Sequence, residues 1–159
     1  MADPHWTSYV GMITGITGAI MGFVSYRKVN SFKSLDLRLE LRKSVKSLHQ
    51  KESELAELIT NANRSRVYVS AAAGMTGSGS MKQWENQVKE DTDKVNQLKE
   101  MFPGKDDDFS TLSTEKLEYK LVEVHDLQET ISGFIESYKS SIEEDDKTRE
   151  HIRRVQTGA

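Results

Sequence analysis

The feature that most restricts this chain is a run of 21 residues, Trp6–Tyr26, reading WTSYVGMITGITGAIMGFVSY, without a single Asp, Glu, Lys, Arg or His. As an α-helix at 1.5 Å per residue the run is about 31 Å long, close to the thickness of a bilayer's hydrocarbon core. It predicts a single transmembrane anchor over residues 1–28. Its flanks agree: Trp6 and Tyr9 stand at one end and Tyr26 at the other, where amphipathic rings favour the interface, and Arg27 and Lys28 follow at once. The Lys/Arg-rich side stays in the cytoplasm, so the expected topology is a signal-anchor with the N-terminus out and residues 29–159 inside. A cleaved signal peptide fits poorly, because no Lys or Arg precedes the run and Tyr-Arg-Lys, not a small-residue cleavage site, ends it. The competing reading is a buried helix of a soluble oligomer, since the run also holds four Gly, three Thr and two Ser.

Those glycines form a pattern. Gly11, Gly15, Gly18 and Gly22 are spaced 4, 3, 4, and Ser8 and Ser25 extend the series by 3 at each end, so six small residues share one helical stripe. Association of helices in lipid depends on close backbone approach and weak Cα–H···O contacts, which such a glycine-zipper, GxxxG-type stripe permits. The expectation is a homo-oligomer held along that face.

Beyond Lys28 the sequence turns polar and periodic, and no stretch favours strands over helices. Leu37, Leu41, Val45, Leu48, Leu55, Leu58, Ile59 and Ala62 recur at helical spacing and predict an amphipathic helix over about residues 31–72. Arg27 to Ser34 is either a hinge, capped by Asn30 or Ser34, or unbroken helix. Ala71–Ser80 is a Gly/Ser-rich linker. Its resemblance to a phosphate loop fails, because Ser80 and Met81 stand where the Gly-Lys-Ser/Thr signature needs its lysine. Trp84, Val88, Asp91, Val95, Leu98 and Phe102 follow a 4-3 spacing and predict a helix over residues 81–102, stopped by Pro103-Gly104. After a polar loop, Leu117, Leu121, Val124, Gln128, Ile131, Ile135, Tyr138 and Ile142 carry the same spacing along a helix predicted over residues 113–155, with a fraying tail past Ile142. The expected fold class is all-α: an anchor followed by a coiled-coil-like, two- to three-helix bundle, read as antiparallel from the two long helices of equal length and the short connections. Leu41, Leu48, Leu55, Trp84, Val88, Leu98, Leu117, Leu121, Ile131 and Ile135 are its expected core.

Charge is segregated, net +5 over Arg27–Arg66 and net −7 from Met81 onward. That balance argues against nucleic acid as a partner, which needs a concentrated basic face, and suits a basic segment lying near anionic headgroups. Chemistry is poorly provided for. There is no Cys, so thiolate zinc sites, iron–sulfur clusters and a Cys nucleophile are excluded. His5, His49, His125 and His151 show no metal-ligand spacing. Asp106–Asp108 lacks the Gly and Glu that an EF-hand loop requires, and no GxSxG elbow occurs. The expectation is a protein without catalytic residues, cofactor, metal or small-molecule substrate. Three classes follow: a membrane-anchored assembly or adaptor protein, a holin-like or pore-forming effector, and a soluble helical oligomer with buried N-terminal helices.

Overall fold

In the computed structural model the backbone is described for residues 4–157, and side chains for residues 21, 22 and 33–155. The described residues form three helices: α1 (Pro4–Ala72), α2 (Gly79–Glu100) and α3 (Thr114–Thr157). No strand occurs among the described residues. α1 runs for 69 residues, about 100 Å at helical rise, without a break at Arg27–Ser34. Neither Asn30 nor Ser34 caps a new helix, because the segment holds no Gly or Pro to interrupt the backbone ladder.

The turn between α1 and α2 is built by glycine. Gly74 has φ 68, a left-handed conformation that a side chain disfavours, and the Met75 N–H returns to the Ser70 carbonyl at 2.8 Å. Ser78 then caps α2, its hydroxyl accepting from the Met81 N–H at 3.3 Å. Ser113 does the same for α3 through Lys116 N–H at 3.4 Å.

Cross-helix contacts fix the directions. Ser44 meets His125, Ser44 O meets Gln128, Lys51 meets Ser132, Glu54 meets Lys139 and Ser65 meets Arg149. Through all five, the sequence separation stays between 81 and 85. A constant difference means α1 and α3 run parallel. Separations between α1 and the α2 side of the chain instead grow from 21 at Asn63–Trp84 to 54 at His49–Pro103, the mark of antiparallel neighbours. Helices adjacent in sequence are therefore antiparallel, as the short connections imply, whereas the two long helices α1 and α3 are parallel and do not form the antiparallel pair that their equal length suggested. Two reversals of direction restore the first, and equal helix length says nothing about sense.

The parallel pair makes layers. An offset of about 83 puts Leu41 level with Val124, Leu48 with Ile131, and Leu55 with Tyr138; all six side chains are buried. These residues join Val45, Ala62, Val95, Phe109, Leu117, Leu127 and Ile135 in one apolar cluster. α2, about half as long, covers only the part of the seam toward the α1–α2 turn. The Met101–Ser113 connection covers the remainder, burying Pro103 and Phe109 and packing Phe102 and Leu112 against the core. A segment that reads as a polar loop is thus half of the third wall.

α3 ends at Thr157, close to the expected bound of 155, so the stretch past Ile142 stays helical and does not fray there, although its seam positions turn polar at Asp145 and Arg149. Gly133 marks no close crossing, since an added Cβ would meet nothing within 4 Å. Gly133→Ala is therefore expected to raise unfolding stability by about 0.5–1 kcal/mol through helix propensity, read from the midpoint of a urea titration.

Candidate functional site

Of the proposed association stripe, Ser8, Gly11, Gly15, Gly18 and Ser25 lie outside the described side chains, as do the interface residues Trp6, Tyr9, Tyr26, Arg27 and Lys28. Only Gly22 is described; it is exposed, with nothing within 4 Å of an added Cβ. Among the described residues no helix is long and apolar enough to cross a membrane. The spanning segment therefore remains a reading of the sequence.

The expected core residues fall in two groups. Leu41, Leu48, Leu55, Leu117 and Ile131 are fully buried, and Ile135 nearly so. Trp84, Val88, Leu98 and Leu121 are half-buried against the same cluster. Three of that second group sit on α2, which touches the long pair along one edge. Trp84 is held on several sides: its indole N–H donates to Asn63 Oδ1 at 3.2 Å, its ring meets Tyr138 edge-on at 6.0 Å, and the Arg66 guanidinium lies 4.8 Å from its centroid.

The distinctive chemistry lies in polar residues at seam positions, each answered from another helix. Gln128 donates to the Ser44 carbonyl at 2.7 Å. Glu52 pairs with Lys99 of α2 at 2.7 Å. Asp91, buried on α2, accepts from the Tyr138 hydroxyl at 3.1 Å and from Gln87 on its own helix. Asp145, 2% exposed, lies 3.0 Å from Arg66 Nε. A slip of one heptad would leave several of these groups buried and unpaired, which costs more than a lost apolar contact, so together they set the register of three otherwise similar apolar stripes.

Asp91–Tyr138 and Arg66–Asp145 are not apparent from composition. One signal does point to the second: the heptad row Leu117, Val124, Ile131, Tyr138 next reaches residue 145, and the α1 row Leu41, Leu48, Leu55 next reaches Ala62, a small residue with Arg66 one turn on. Burial drives the Tyr138 hydroxyl pKa well above its ordinary value, reinforced by the Asp91 charge. Tyr138 stays a hydrogen-bond donor throughout the physiological range.

Burial likewise raises the Asp145 pKa above 3.8; the Arg66 charge, Ser65 and the Arg149 charge act against it, and Glu144 adds to it. A raised folded-state pKa means that the ionised form disfavours folding. The penalty is complete above the folded pKa and is relieved as pH falls through it toward 3.8. Stability of the parent relative to Asp145→Asn should therefore rise on acidification through that window, as read from urea titrations of both proteins at a series of pH values. A difference that is flat or falls there would contradict this account.

Elsewhere the chemistry is sparse. His49 bonds the Pro103 carbonyl at 2.9 Å and packs edge-on against Phe102, and His125 lies 3.3 Å from Ser44 Oγ, so both histidines help to close the bundle. Among the described residues no three His, Cys, Asp or Glu side chains gather at metal-binding distance. Two members of the basic segment are engaged by acidic groups: Lys33 with Glu118 at 2.9 Å and Arg42 with Asp108 at 3.4 Å. Hydrogen bonds from Ser110 hold the Asp108 carboxyl below its usual pKa, with smaller help from Arg42 and Arg38. No family model, curated protein or solved structure matches the chain.

Proposed function

We propose that this is a single-pass membrane-anchored assembly or adaptor protein, without catalytic activity, that self-associates through its glycine-striped N-terminal helix and presents the three-helix bundle to a protein partner in the cytoplasm. The observation that carries the reading is the continuity of α1: the 21-residue uncharged run and the bundle's first strut belong to one helix. Thr114, where α3 begins, is level with residue 31 of α1 by the shared offset, so the bundle would start within two turns of Tyr26. An anchor joined in this way fixes the bundle's orientation to the bilayer, as a scaffold requires and a flexible tether does not. Lys43 and Lys46, exposed on α1, would join Arg27 and Lys28 in attraction to anionic headgroups, at about 1 kcal/mol or less each. Lys33 and Arg42 contribute less because acidic partners already engage them.

Alkaline carbonate extraction of membranes from expressing cells tests the anchor. The chain should stay in the pellet, and protease added from the cytoplasmic side should remove the bundle. Release into the supernatant would favour a soluble oligomer instead. Dye leakage from vesicles carrying the protein would favour a pore-forming effector.

A further inference from the structure

The bundle is unevenly built along its axis. Of the eight largest described side chains with less than 2% exposure, seven are apolar: Leu41, Val45, Leu48, Leu55, Leu117, Val124 and Ile131. All seven lie at or below the Leu55–Tyr138 level, on the side of the α2–α3 connection. The eighth is Asp145, the next layer up, level with Ala62. That layer is poorly satisfied. Asp145 Oδ2 and Arg66 Nε are both buried without a hydrogen-bond partner, although Arg66 Nε lies 3.0 Å from Asp145 Oδ1; the approach is ionic in distance but not aligned as a hydrogen bond. Arg66 also stacks on Trp84 of α2, so the same guanidinium touches all three helices' packing. Above it come the smaller contacts of Val69, Ser70 and Met81, and then a turn whose Gly74 and Gly77 have positive φ.

We propose that the bundle beyond the Tyr138 level is a separately opening unit, latched by the Arg66–Asp145 pair, which exchanges between docked and undocked states while the Leu41–Ile131 core stays closed. Opening would part the last three turns of α1 and the first half of α2 from α3, and would return Asp145 and Arg66 to water, where neither lacks partners. The apolar layers below have no such gain on hydration and resist it. Cooperative units of this kind arise where buried apolar contact is thin and polar groups are incompletely paired. The proposal does not depend on the membrane reading.

Native-state hydrogen exchange of the full chain in detergent micelles, resolved by peptide, tests it. Amides within residues 62–69 and 81–91, away from the chain ends, should exchange on the order of tenfold faster than those within 41–55 and 124–135. Arg66→Met, which leaves the buried carboxylate uncompensated, should speed the distal set on the order of a hundredfold, and the pair Arg66→Met/Asp145→Leu should slow it on the order of tenfold; neither should move the proximal set. A single exchange rate for both halves of the parent overturns the proposal. So does a paired variant that leaves the distal rate unchanged or shifts both halves equally. If Arg66→Met alone fails to fold, the parent and the paired variant still decide.

Discussion

Leu48→Ala is expected to lower unfolding stability by about 2–5 kcal/mol, the cost of removing apolar atoms from a closed layer and leaving a cavity. Leu48 is fully buried and level with the equally buried Ile131. Leu39→Ala, at a site 49% exposed on the same helix, should stay within about 0.5 kcal/mol. Circular dichroism during urea unfolding reads both. The same residues test the helix directions. In a parallel pair with an offset near 83, Leu48 and Ile131 share a layer, so combining Leu48→Ala with Ile131→Ala should give a coupling of about 0.5–3 kcal/mol. Leu48→Ala with Leu117→Ala, two heptads apart, should be additive. Coupling in the second pair and none in the first would mean that the helices do not run as described.

The other large effect is expected in the membrane. Replacing Gly15 and Gly18 with Leu puts bulk along the proposed contact while making the segment more apolar, so insertion should persist and close helix approach should not. Ile13→Leu with Ile20→Leu is the control, because those positions fall off the Ser8, Gly11, Gly15, Gly18, Gly22, Ser25 stripe. Crosslinking in membranes should show the oligomer lost in the glycine variant and kept in the control. Equal assembly of both would assign the contact to the bundle or to another protein. A parent that is monomeric throughout would remove self-association from the proposed function.

Helix identity was legible because period and breakers agree. Leu41, Leu48 and Leu55 on one side and Leu117, Val124 and Ile131 on the other recur every seven residues, and Gly/Ser and Pro-Gly punctuation separates the rows. The third wall of the seam was not legible past Phe102. Phe109 and Leu112 stand among Asp, Ser and Thr with no periodicity, and only the geometry of a half-length α2 reveals that the connection must fill the rest of the groove. Asp145 was hidden for a different reason. A carboxylate among Glu143, Glu144 and Asp146 reads as solvated surface, and the heptad count that places it inward runs against its chemistry.

By itself the sequence determined what depends on neighbours along the chain: an all-helical build, the rows that must be buried, the glycine turn, and an uncharged N-terminal run sized for a bilayer. Tertiary structure alone decided what depends on partners far apart in sequence. The parallel sense of α1 and α3 follows from which side chains meet across more than 80 residues, and apolar stripes of equal period would accept either sense. Register follows from Gln128 on the Ser44 carbonyl, Tyr138 on Asp91 and Arg66 against Asp145. Apolar contact is nearly indifferent to a shift of one heptad, whereas a buried polar group is satisfied in one alignment and stranded in the next.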